Sequence, residues 1–89
     1  MSTLFAVLLG GSGGPGRMTE DHETVFVVAD DERSAKVHAK AKWSGHGQAH
    51  VDALIAVDAV DGYTIELREG AAGGESHLVS YNDDPYDDA

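Results

Sequence analysis

The sequence predicts an α+β fold in two layers, with one helix packed on a mixed four-stranded sheet in the order β-β-α-β-β. Three observations predict it. Two almost wholly apolar runs, Leu4 to Leu9 and Val25 to Ala29, have the length of strands. A stretch rich in Ala, Lys and Glu follows Asp30-Asp31 without Gly or Pro. From Val51 onward the apolar residues recur every second position.

Each element has its own warrant. Leu4-Phe5-Ala6-Val7-Leu8-Leu9 shows no polar alternation and stops at Gly10-Gly11, so it reads as an interior strand with both faces covered. Thr24 to Ala29 reads the same way. Asp30 or Asp31 supplies an N-cap for a helix that runs through Trp43 and stops at Ser44-Gly45. Ala35, Ala39 and Trp43 form one stripe, with Val37 and Ala41 on another side, so Trp43 seats the helix. Val51, Ala53, Ile55 and Val57 then alternate with Asp52, Leu54, Ala56 and Asp58. Tyr63, Ile65 and Leu67 alternate with Thr64, Glu66 and Arg68. These are two half-buried strands, joined by a tight turn at Asp61-Gly62 with Asp58 to Val60 lengthening the loop or adding a bulge. A Gly/Ala linker spans Gly70 to Gly74, and His77 to Tyr81 has room for a short fifth strand at the edge. The acidic, Pro-containing stretch Asn82 to Ala89 has too little apolar surface to offset ordering entropy and is expected to be disordered. The expected organisation is a single domain over 1–69, a linker and edge strand over 70–81, and a tail over 82–89.

Length and charge bound the function. A chain of 89 residues has room for one core, which buries only roughly 60–65% of the unfolded surface. It has no cysteine, so neither disulfides nor thiolate metal sites support it. The first apolar run lacks a basic leader and is shorter than the ~20 residues of a membrane span, so the default expectation is a cytoplasmic protein with no membrane partner. Sixteen acidic against six basic side chains give a net charge of −10, which repels phosphate backbones and makes nucleic acid an unsuitable partner. An acidic coat with few lysines is also what a halophilic protein from a high-salt cytoplasm would carry.

The predicted topology places a candidate site. A short connection makes the first two strands antiparallel, and the helix lets the second and third run the same way, so their starting ends coincide. Gly10-Gly11, Glu20-x-His22, His50-x-Asp52 and the end of the fourth strand at Arg68-Glu69 then meet at one edge. Residues two apart in a strand share a face, so Glu20 stands beside His22 and His50 beside Asp52. Two imidazoles and two carboxylates could bind Zn, Mn or Fe with open positions, or pair a histidine base with an orienting carboxylate. They are also what any wet strand end collects. Gly10 and Gly11 form the loop that supports this site. His38, His46 and His77 are expected in solvent, with His46 near enough to His50 to be a spare ligand.

Gly11-Ser12-Gly13-Gly14-Pro15-Gly16 matches a dinucleotide-binding glycine pattern, and Asp31 lies twenty residues on. Only Arg17 to Glu23 separates it from the next strand, too little for the helix that should hold pyrophosphate, and three acids stand there. A P-loop fails because Arg17 and Met18 replace the Lys and Ser/Thr it needs.

Leu9-Gly10-Gly11, Glu20-x-His22-Glu23 leading into Val25-Phe26-Val27-Val28, Trp43, His50-Val51-Asp52 and Val60-Asp61-Gly62-Tyr63 together resemble a bacterial group catalogued as domain of unknown function 1543. The likeness spans about Thr3 to Leu67. It implies a small α+β domain, present twice in some chains, and carries no activity with it. Ser12 to Arg17 is more glycine-rich than that pattern, and everything after Gly70 falls outside it.

One helix covers one face of the sheet, so the two apolar runs leave side chains on the other; a two-fold homodimer would bury them, and failing that the tail strand would fold across the open face. Two functions are therefore expected. One is a non-catalytic homodimeric binding or regulatory domain; the alternative is a metal-binding or metal-dependent hydrolytic domain using Glu20, His22, His50 and Asp52.

Overall fold

The computed structural model describes residues 1–70 and 73–76; the edge strand expected over His77 to Tyr81 and the tail over 82–89 lie outside the described residues. Three long strands, β1 (Thr3–Ser12), β2 (Glu20–Ala29) and β3 (His46–Ala56), form one sheet in the order β2-β1-β3. The single helix α1 (Glu32–Ala41) lies between β2 and β3 in sequence. A two-residue hairpin, β4 (Ala59–Val60) and β5 (Tyr63–Thr64), makes a separate small ladder.

Two expectations are corrected by this arrangement. The main sheet has three strands among the described residues, and Tyr63 to Leu67 does not join it as a fourth. It is also antiparallel throughout: β2 and β3 do run the same way, but β1 lies between them and pairs antiparallel with both. The reason lies in β1, the most apolar of the three strands, which takes the central position where both of its edges are paired. The Asp61-Gly62 turn itself forms as expected, with φ of 52° and 83°, the left-handed pair that a two-residue hairpin requires.

The core lies between α1 and one face of the sheet. Phe5, Val7 and Leu9 of β1 alternate inward with Val27 and Ala29 of β2, and Ala35 and Ala39 of the helix close over them, with Trp43 packed at the margin. Alanines on the helix let it sit close to the sheet. Val37, on the other side of α1, is exposed, as its position outside the stripe predicted. Thr24 to Ala29 is not covered on both faces: among the described residues β2 is an edge of the sheet and alternates strictly, with Phe26 and Val28 exposed.

Asp31 caps α1, its Oδ1 accepting the Ser34 backbone N–H at 2.7 Å. That bond holds the Asp31 carboxyl below its ordinary pKa, with a smaller contribution from the Ser34 side chain. Because the folded-state pKa is depressed, the cap stabilises the fold above the ordinary carboxylate range and the stabilisation is lost as pH falls through the folded value. Asp31→Ala is therefore expected to lower the melting temperature at neutral pH and to leave it almost unchanged in acid below that value, as read by circular dichroism at both pH values.

The glycine loop is a plain connection. Gly14 and Gly16 take positive φ, the Arg17 N–H closes a turn on the Gly14 carbonyl, and Arg17 pairs with Asp21 as β2 begins. No helix follows the glycines, which removes the structural context that nucleotide binding needs. No helix among the described residues is long and apolar enough to cross a membrane.

Candidate functional site

Among the described residues no helix or strand packs on the face of the sheet away from α1, and Gly74, Glu75 and Ser76 line a hollow with Leu4, Phe26 and Val28 at one end of it; the register sorts this face by polarity. Antiparallel pairing sets Val28 beside Leu4; Phe26, Ala6 and Ile55 in a row; Thr24, Leu8 and Ala53 in the next; and His22, Gly10 and His50 in the row after. Glu20, Ser12 and His46 make the last row. One end of the face is thus apolar, with Phe26 57%, Val28 48% and Ile55 63% exposed. The other end carries the histidines and carboxylates.

Gly10 is the centre of that polar end. His22 and His50 flank it on the two neighbouring strands, and a Cβ at Gly10 would lie 2.7 Å from Asp52 Oδ2, 2.9 Å from His50 Nε2 and 3.1 Å from His22 Cδ2. The missing side chain is what lets these groups meet over the central strand. Asp52 joins both imidazoles: its Oδ2 lies 3.1 Å from His22 Nε2 and its Oδ1 3.0 Å from His50 Nε2. Glu20 Oε2 lies 3.3 Å from the same His50 nitrogen.

A bulge aims Asp52. Leu8 pairs with Ala53 and Leu9 with Val51, so Asp52 is an extra residue on β3 and turns inward over β1. A second irregularity, between the pairs at Gly10 and Ser12, absorbs Gly47 and Gln48 and brings the start of β3 forward to His46.

The structure therefore brings together Glu20, His22, His50 and Asp52. Gly10 and Gly11, expected in a supporting loop, are residues of β1 itself. Gly10 makes room on the open face, and Gly11 makes room on the covered face, where a Cβ would meet Trp43 Cζ2 at 2.9 Å. His46 belongs to β3 rather than to a loop; its ring stands against Gly14, 3.1 Å from where a Cβ would be, and lines one hollow with Glu20 and His22 without pairing with a carboxylate of the cluster. His38 is exposed on the helix. The end of the expected fourth strand does not reach the site: Ile65, Glu66 and Leu67 lie against Met1 and Ser2, at the start of β1 and so at the far end of the sheet.

Sequence reasoning missed one supporting residue. Glu23, on the covered face of β2, accepts the Ser44 backbone N–H at 2.8 Å and the Ser44 hydroxyl at 2.7 Å, tying β2 to the connection that leads into β3. Its only signal was an acid at an inward position of an alternating strand. Together with Trp43, whose indole N–H donates to the His46 carbonyl at 3.3 Å, it fixes where β3 starts and hence where His50 stands.

The four side chains of the cluster are between 33% and 53% exposed, so they face water rather than a closed pocket. Among the described residues, no group of three or more His, Cys, Asp or Glu side chains is placed to hold a metal ion as the side chains stand.

Fold and site together define a small α+β domain with a histidine–carboxylate cluster at one end of the sheet face away from the helix. A family model described as Domain of Unknown Function (DUF1543) matches residues 17–67, more than half of the 89-residue chain, and the chain belongs to that family. The match includes Glu20, His22, His50 and Asp52 and begins after β1. No curated protein and no solved structure matches the chain.

Proposed function

We propose that this chain is a small non-catalytic binding domain that associates with a second copy through the apolar half of its open sheet face and holds a ligand at the polar half. The observation that carries this reading is the division of one sheet face, on which no described helix or strand packs, into Leu4, Ala6, Phe26, Val28 and Ile55 at one end and the cluster over Gly10 at the other. Apolar side chains left in water cost roughly 25 cal/mol for each Å² that a partner could remove. A second copy fits because the patch is self-complementary under two-fold symmetry, with the two clusters left at opposite outer ends. The resemblance noted above adds that some related chains carry this domain twice.

Size sets the strength of that association. Ten-residue strands at about 3.3 Å per residue and three strands at about 4.8 Å spacing give a face of roughly 475 Å², of which the apolar half is roughly 240 Å², so two copies bury roughly 480 Å². Stable complexes bury about 1,200 Å² or more, which makes this an exchanging dimer. The net charge of −10 on each copy opposes it, so added salt strengthens it. Binding is favoured over catalysis because the cluster is half-exposed, and a hydrated site forfeits the low-dielectric stabilisation on which hydrolytic chemistry depends.

Sedimentation velocity from micromolar to millimolar protein is expected to show a monomer–dimer equilibrium that shifts toward dimer with salt. Phe26→Asp should abolish it while the circular dichroism spectrum is retained, since the side chain is already exposed. A strict monomer at millimolar concentration, or a Phe26→Asp protein that dimerises like the parent, overturns the second copy as occupant.

A further inference from the structure

We propose that the cluster over Gly10 binds one divalent transition-metal ion of the Zn class, through Nε2 of His22 and Nε2 of His50, with Asp52 and Glu20 supplying carboxylate oxygen. This rests on the polar half of the open face being the ligand site, and not on the dimer.

Spacing is the first argument. Ligand atoms about 2.1 Å from a metal lie roughly 3.0 Å apart when they subtend a right angle and roughly 3.4 Å apart at the tetrahedral angle. The N···O separations within the cluster are 3.0, 3.1 and 3.3 Å, already within that range. The side chains need only rotate from facing each other to facing a common point, and no strand has to move. Both histidines also present the same nitrogen inward, because Asp52 reaches both Nε2 atoms with its two oxygens.

Charge is the second argument. Two carboxylates beside two neutral imidazoles carry −2, which a divalent ion cancels, on a chain whose overall field already attracts cations. Imidazole with carboxylate and no thiolate suits Zn, Mn or Fe, whereas Mg and Ca favour all-oxygen sites. The half-exposed side chains leave an entry path and at least one position for water.

Gly10 is the third. Its bare Cα is the floor of the site, and the atoms that a Cβ would strike are the far ends of three side chains rather than backbone. Gly10→Ala is therefore expected to fold and to force the ligands apart.

The test uses the full chain stripped of metal by chelation and titrated with zinc chloride near neutral pH. Calorimetry should give one ion per chain, and NMR should show selective shifts of the His22 and His50 imidazoles with His38 unmoved. His22→Ala, His50→Ala and Gly10→Ala should each weaken zinc at least tenfold with unchanged circular dichroism, while His46→Ala should bind like the parent. Were one histidine variant to unfold, the Gln replacement at that position, which keeps the volume and removes the imidazole ligand, takes its place. Absence of binding, shifts spread over all five histidines, or parental affinity in the His22 and His50 variants overturns the proposal. A chain that ignores zinc yet dimerises through Phe26 sinks the metal site alone, and a zinc-binding monomer sinks the dimer alone.

Discussion

Leu9→Ala is expected to lower the unfolding free energy by about 2–5 kcal/mol, the range for removing a buried leucine side chain where the surroundings relax only partly. Leu9 is fully buried, and with Val7 it is one of the two largest completely enclosed side chains. Its neighbours offer little to refill the space, because half of the buried core is alanine: Ala29, Ala35, Ala39 and Ala49. A domain of about 70 residues has a total stability of roughly 4–10 kcal/mol, so this single truncation takes a large share of it. Urea denaturation followed by circular dichroism should show the midpoint falling steeply, and Leu9→Met, which keeps the volume, should cost less than about 1.5 kcal/mol. A midpoint within experimental error of the parent in Leu9→Ala would show that this face of β1 is not the core.

What the sequence made legible divides along a physical line. Signals confined to a few neighbouring residues were readable: the apolar β1, the Asp31 cap with its stop before Ser44-Gly45, and the left-handed Asp61-Gly62 turn. The convergence of His22 and His50 was readable too, because a helix joining two strands that run the same way returns the chain to the end where the first began, and both histidines lie in the first half of their strands. The third strand's early start at His46 was not readable, since Gly45-His46-Gly47 has the composition of a turn and only the pairing with Ser12 makes it strand. Nor was the role of Gly10 and Gly11. A double glycine after an apolar run looks like a loop, and only the cross-strand neighbours show that one makes room for the cluster and the other for Trp43. The alternation from Tyr63 to Leu67 pointed to a sheet strand, yet two residues pair there and with Ala59–Val60 alone. Period two predicts a dry side, but Tyr63 and Leu67 are exposed and only Ile65 is partly buried, its N–H donating to the Asp58 carbonyl at 2.8 Å beside the short hairpin.

Trp43→Ala is the prediction that joins the core to the site. Trp43 packs against the core cluster, lies over Gly11, and donates its indole N–H to the His46 carbonyl at 3.3 Å. It therefore connects the end of α1 to the first residues of β3, four positions before His50. Truncating a fully buried Trp costs about 3–5 kcal/mol; Trp43 is half-buried, so about 2–3 kcal/mol is expected. The same loss should loosen the start of β3, where the irregular pairing opposite Gly11 leaves few ladder bonds to hold it. His50 would then sample positions away from Asp52, seen as broadening or shifting of its imidazole signals at temperatures where the protein remains folded. Trp43→Phe separates the two contributions, because it keeps most of the apolar contact and removes only the N–H bond to His46, worth roughly 1 kcal/mol. Stability close to the parent in Trp43→Phe, with an altered His50 signal, would show that the indole hydrogen bond positions the site; an unmoved His50 in both variants would place that task on the Glu23–Ser44 clamp instead.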